Sequence, residues 1–396
     1  DLYPDRQITV MAEDGKTVTV SGGRQITDWS LYDAEKDIYR AYAGEGLIFR
    51  QLYVDGMRGI RARSEQSLPF TKEVSFGHTI SADLLPDFQY PADLEFVYHK
   101  AWSNARCGVD TIQKTGDMAS VIMKQPMWEN LTGEARYETI RVDEVSYIEN
   151  AYELLDQPGE WYYNTHDGYV YYKPENGKTP DESEVVMPML DKLVELEGAY
   201  DTPVENITFR NIQFQYAGWN KPTLDGGHAD NQNNGVTYGD LLIEGAFWGK
   251  NVKNIRIEGC SFAHMGAIAI KLTGAVQNVV IDGCDIYDIS GNGIAIGAPL
   301  SAYTYVKNPA YEQYAIRNVQ ITNNYIHQIG REYQSSCGIS AAYTKDLLIA
   351  HNEIFDVPYS GMHLGYFADD VSGTEGTMVE YNFVHNVLNS PLYDGG

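Results

Sequence analysis

The sequence predicts an all-β protein: a right-handed parallel β-helix that carries an inserted β-sandwich-like domain and is cut at both ends. Three observations predict it. A strand phrase recurs through the second half of the chain, a second short phrase follows each copy, and a tract without the repeat interrupts the first half. The first phrase reads Asn254-Ile255-Arg256-Ile257-Glu258-Gly259-Cys260-Ser261-Phe262, then returns at Asn278, Asn318 and Asp346. A looser copy begins at Asn206, and a later one passes through Val379, Asn382 and Val384. The second phrase is Gly266-Ala267-Ile268-Ala269-Ile270, echoed at Gly293, Gly338 and Gly361.

Each phrase alternates apolar and polar residues with period two and is broken by Gly or Asn, so it reads as a short strand. A unit of about 24 residues built from such strands cannot bury its own apolar face, whereas stacked copies can. The Cys260 to Cys284 interval is one minimal rung. Those thiols should stack, with Asn324, Asn352 and Asn382 continuing their column. Residues 1–24 read as the end of an earlier rung, 25–195 as the inserted β-rich domain, and 196–396 as about six rungs. Within the insert, Trp161–Tyr172 reads as a hairpin around Asn164–Gly168, and a short helix is predicted near Ile148–Leu155. Alternation of Arg61 and Arg63, close after Arg58, fits either an anion patch or an interior ion pair.

The composition excludes several functions. Fifty-five acids against 29 bases give a formal charge of −26, a field that repels nucleic acid. No apolar run is long enough for a spanning helix. Four cysteines without C-x-x-C spacing argue against a disulfide framework or a cysteine metal site, and no His-x-x-x-His array points to zinc. No cofactor or metal is expected, and the oligomeric state is left open.

Uneven rung lengths point to the site. The extra residues are read as lying mostly after the Gly-Ile-x-Ile phrase, with 220–250 in the first rung, so that the loops line one cleft. Aromatic rings can cover the apolar faces of a sugar while acids take its hydroxyls. The candidate substrate-binding residues are Trp219, His228, Asp230, Tyr343, Tyr359, His363, Tyr366 and Asp369. His363 should face outward between inward Met362 and Leu364, and His327 and His385 should stack. Glycosidases mostly use two carboxyl groups, about 5–5.5 Å apart for retention or 6.5–9.5 Å for inversion. The interval from Ile326 to Gly338 equals that from Val384 to Gly396, so Asp394 should sit in the turn before the next strand. Asp394, Glu332 and Glu375 are the candidate catalytic acids.

The phrases Ile48–Gly56 with Arg61-Ala62-Arg63, Pro158-Gly159-Glu160-Trp161-Tyr162, His351-Asn352-Glu353-Ile354 with Pro358-Tyr359-Ser360-Gly361, and Asp394-Gly395-Gly396 carry a family resemblance. Together they resemble bacterial parallel β-helix proteins that include glycoside hydrolase family 141. The architecture is similar to that of the family 120 β-xylosidases. The resemblance implies a fucosidase-, xylanase- or xylosidase-like hydrolase acting on plant or host glycans, and a secreted, periplasmic or cell-surface location. In such proteins the helix normally continues past the Asp-Gly-Gly phrase. A polysaccharide lyase and a non-catalytic carbohydrate-binding β-helix are the alternatives. The lyase would want clustered acids for calcium and a basic residue near the sugar.

Overall fold

The computed structural model describes residues 6–65, 67–100, 102–132, 142, 144–175, 177–224, 227–231, 236–237, 241–297, 309–365, 373–390 and 392. Its second half is a parallel β-helix whose rungs each turn through three strips of sheet. Strip one runs through Val194–Glu197, the first halves of Gly245–Glu258 and Ile268–Asp282, then Ile294–Ile296, Ile339–Ala341 and Met362–Leu364. Strip two holds Ile8–Met11, Val204–Arg210, the second halves of the two long strands, Ile316–Thr322, Thr344–Ala350 and Met378–Glu380. Strip three holds Thr19–Ser21, Gln213–Ala217, Ser261–Met265, Asp285–Ile289, Tyr325–His327, Glu353–Val357 and Phe383–Val387. Every pairing within these strips is parallel.

The period-two pattern explains the core. Ile257, Ile281, Ile321 and Ile349 stand in register in strip two and are buried. Phe214, Ile286, Ile326 and Ile354 meet them from strip three. Each such side chain contributes about 1.5–3 kcal/mol by leaving water. Two polar columns hold the corners. Asn206, Asn254, Asn278 and Asn318 all have positive φ, a conformation Asn tolerates better than most residues. Their side-chain amides bond up the stack at 2.8, 3.0 and 3.1 Å. The second column starts at buried Cys260 and Cys284, whose backbone N–H donates to Asn324 at 2.9 Å. Asn324 then bonds Asn352, and Asn352 bonds Asn382, each pair at 2.9 Å between side chains. On the outer face of strip three, Tyr287, His327, Phe355 and His385 stack in order with ring centroids 5.5, 5.0 and 5.0 Å apart.

The insert leaves after Ser21 and returns at Val194, two residues earlier than the boundary expected from the sequence. It contains a five-stranded sheet, a four-stranded sheet and six strands of a seven-stranded sheet whose seventh strand is His228–Asn231. One cluster packs around Phe96, Tyr98 and Trp128, another around Trp29, Phe49 and Trp161. The hairpin joins Glu160–Tyr163 to Tyr169–Tyr172. The helix expected near Ile148–Leu155 is instead the strand Tyr147–Glu149 followed by a single 3₁₀ turn, Tyr152–Leu154. Pairing of Tyr147 and Glu149 with Val97 and Glu95 extends that segment, and Asn150 at positive φ breaks any helical run. No helix among the described residues is long and apolar enough to cross a membrane.

Candidate active site at the insert–helix corner

The site lies at the corner between strip three and strip one. The insert itself occupies this corner of the first rung, and the described residues of 218–244, with 290–293, 328–338 and 358–361, occupy it in later rungs. This corrects the expectation that long loops share the corner after the Gly-Ile-x-Ile phrase. Gly245-Ala246-Phe247-Trp248 is the strip-one strand of its rung although it lacks that phrase, so the loop before it belongs to the preceding corner. Gly297 and the turn Pro309–Tyr314 do follow strip one. The two sets of loops therefore border strip one from its two ends.

Because the insert leaves from this corner, it leans over the corners of later rungs. Arg58 reaches across and makes the joint. Its guanidinium donates to Asp288 at 2.9 Å, Glu332 at 2.9 Å, Ser290 at 2.8 Å and the Met265 and Asp288 carbonyls. Gln51 Nε2 and Ser290 Oγ also donate to Glu332 Oε1, at 2.9 and 3.1 Å. His264 Nδ1 lies 2.8 Å from the other oxygen of Asp288. Burial alone would raise the Asp288 carboxyl, but Arg58 and His264 outweigh it and hold it down to about 2.

Beside this joint a cavity of about 100 Å³ is lined by Arg50, Arg58, Arg61, Arg63, Arg106, Tyr147, Glu149, Arg331 and Glu332. Arg50 holds Glu95 with two 2.7 Å bonds, while Arg61 and Arg106 hold Glu149 at 2.9 and 2.5 Å. Burial opposes ionisation of Glu95, yet Arg50, Arg61 and Arg106 keep its carboxyl well below the usual range. Arg58 and Arg61 thus serve ion pairs, the second of the two readings, whereas the Arg63 guanidinium lies 4.9 Å over the Tyr147 ring.

The remaining predicted residues fall into distinct places. Glu332 is at the joint, with its side chain 15% exposed and bordering the cavity. Glu375 is at the opposite corner, its side chain 75% exposed and 3.4 Å from Lys345. Trp219 and His228 are both fully buried, which corrects their assignment to a cleft wall. Trp219 packs on Ile268, Ala295 and Tyr333. The His228 strand pairs with Ser103–Thr115 of the insert, so its ring is drawn between Trp219 and Tyr333, at 5.6 and 4.7 Å. Burial, then Arg106 and Arg50, push the His228 ring down to about 3, so it is neutral. Tyr359 is buried with Cys337 and Leu392 against Trp102, and Tyr343 is buried beside Ala342 and Tyr314. Neither ring lines an open wall in this conformation. His363 is half-buried on strip one, in register with Ser340. Leu364 is 37% exposed rather than inward, since no described strand stacks beyond Met362–Leu364. The Asp230 backbone pairs with Asn104, its side chain being outside the described residues, as are Asp394, Tyr366 and Asp369.

Two residues escaped the sequence reading. Gln51 lay in a quoted phrase but its partner is 281 residues away. Lys271 sits within an apolar strand, 7% exposed, and donates to the Gly297 carbonyl at 2.6 Å. Burial lowers its ammonium to about 8. A lone Lys between Ile270 and Leu272 was the available signal. Among the described residues no three His, Cys, Asp or Glu side chains gather as a metal-ligand set.

Residues 38–175 match the GH141 insertion domain. The family resemblance read from the strand phrases is thus found independently in the insert. A solved structure described as a glycoside hydrolase aligns over 96% of this chain and 78% of its own, with 24% identity and a TM-score of 0.76. A complex of XylC with xylose aligns over 96% of this chain and 53% of its own, with 14% identity and a TM-score of 0.50. The chain thus spans about half the length of XylC. No curated protein matches the chain. The two structures share the fold of a β-helix with its insert, and with the GH141 insertion domain they support a glycosidase.

Proposed function

We propose that this chain forms the catalytic region of a glycoside hydrolase that cuts a plant or host oligosaccharide or polysaccharide with two carboxyl groups, Glu332 and Asp394. The observation that carries the reading is the corner itself. Glu332 is held there by Gln51, Arg58 and Ser290 at the edge of a cavity. Leu392, two residues before Asp394, is anchored at the same corner two rungs on, against Cys337 and Tyr359. Two residues of chain reach at most about 7 Å. Glu375 belongs to the other corner and is engaged by Lys345, so it falls out of the pair.

In this reading Gln51, Arg58 and Ser290 fix one Glu332 oxygen and leave the other for substrate or water. Placement within a few tenths of an ångström matters for such a group. Fucosidase-like and xylanase- or xylosidase-like specificities both fit. We also infer an exported protein, because polymeric glycans are met outside the cell; fractionation of the producing cell tests that point. The activity is tested by screening 4-nitrophenyl α-L-fucoside, 4-nitrophenyl β-D-xyloside, soluble xylan and polygalacturonate, with and without EDTA, on the natural protein. Turnover insensitive to EDTA is the expected result. Products bearing a 4,5-unsaturated uronate, or no turnover of any glycan, would overturn the proposal.

A further inference from the structure

A second cavity lies wholly within the insert, on the side formed by Ser30–Asp33, Ile38–Tyr42 and Tyr169–Tyr172. Its volume is about 240 Å³. None of its lining residues takes part in the Glu332 joint. Three tyrosines shape one wall. Tyr32 stands nearly perpendicular to Tyr152, with centroids 6.0 Å apart and planes at 88°, and meets Tyr171 at 5.0 Å and 75°. Tyr90 also lines the cavity and is braced by the His166 ring at 3.9 Å.

Polar groups converge between these rings. The Tyr171 hydroxyl donates to Asp167 Oδ2 at 2.8 Å and the Tyr169 backbone N–H donates to its Oδ1 at 2.9 Å, which leaves one lone pair on each carboxylate oxygen. Arg40 lies 4.6 Å over the Tyr32 ring. The side chains of Asn164 and Glu153 complete the lining. Rings set at right angles with a carboxylate, an amide and a guanidinium between them match a pyranose: flat C–H faces meet rings and equatorial hydroxyls meet paired donors and acceptors. Two carboxylates against one arginine, in a chain of charge −26, disfavour an anionic ligand.

We propose that this cavity is a saccharide-binding site for neutral pyranose units, separate from the catalytic corner, that holds a stretch of glycan on the insert. It stands whether or not the chain hydrolyses glycosides. The test is calorimetric titration of the full chain with xylohexaose, cellohexaose and mannohexaose, compared with the Tyr32→Ala/Tyr90→Ala double variant. Tyr32 is 47% exposed and Tyr90 half-buried, so the fold should survive, its thermal midpoint lowered only by the ring contacts the two side chains lose. Each ring contact is worth roughly 2- to 13-fold in affinity. The double variant should bind at least one hexaose about 5- to 150-fold more weakly, with aryl-glycoside turnover unchanged. Equal binding by the two proteins, or no binding of any hexaose at millimolar concentration, would overturn the site. A protein that binds but turns over nothing would keep this inference and remove the catalytic one. An active protein whose binding ignores the double variant would do the reverse.

Discussion

Arg58 joins two parts of the molecule with one side chain. Its side chain is only 14% exposed, and its five donors are shared between Asp288, Glu332, Ser290 and two carbonyls. Arg58→Met would leave two largely desolvated carboxylates without their counter-charge. Breaking a buried pair from one side costs about 3–5 kcal/mol, so urea unfolding should show a loss of that size. The same joint sets an acid response. Asp288 titrates near 3.9 when unfolded and near 2 when folded. A depressed carboxyl contributes its stability above the unfolded value and loses it as pH falls through the folded one. Between about pH 4 and pH 2 the wild type should therefore lose on the order of 2 kcal/mol that Asp288→Asn has already forfeited. The difference between the two unfolding free energies, followed across that window, should close. A constant gap would show that the carboxyl is not held down.

The strand columns show what a repeat makes legible. Cys260, Cys284, Asn324, Asn352 and Asn382 were readable as one column because equal positions in equal phrases must stack. The bonds follow from that register: Asn352 Nδ2 donates to the Ile321 carbonyl at 2.9 Å, and its Oδ1 accepts from the Asn324 backbone at 3.0 Å. Asn352→Leu would strand both buried groups, at about 1–3 kcal/mol each. Thermal unfolding should register that loss, while Asn318→Ala, on the more exposed ladder, should cost clearly less. Corners were less legible. Phe247 and Trp248 stand where the phrase would put Ile and a small residue, so the 218–244 loop was given to the wrong corner. The Arg58 partner is not legible in the sequence, since Glu332 is 274 residues away and only the coiling of the chain brings it near. Trp219 and His228 carried a composition suited to a sugar wall, yet the pairing of Arg106 with His228 buries both. Composition states what a loop contains; the partner strand decides which way it faces.

At the scale of the whole molecule, the decisive feature is where the insert is spliced. It replaces a corner between strip three and strip one, and that places its arginines over the corners of rungs several turns later. A carboxylate on those corners is positioned by two bodies at once, whereas Glu375 on the opposite corner has only the neighbouring rung, through Lys345, and solvent. This separates the three candidate acids by a single experiment. Glu332→Gln keeps an oxygen to accept from Gln51, Arg58 and Ser290, so the protein should fold with its thermal midpoint nearly unchanged. Losing a catalytic acid or base costs about 10²–10⁴-fold in rate. Turnover by Glu332→Gln and by Asp394→Asn should fall by about that factor, and the double variant should fall little further, because the two groups serve one reaction. Glu375→Gln, which breaks an exposed pair with Lys345, should stay within about threefold of wild type. The reverse ranking, with Glu375→Gln inactive and Glu332→Gln intact, would move the chemistry to the opposite corner and leave the joint with the insert a matter of stability alone.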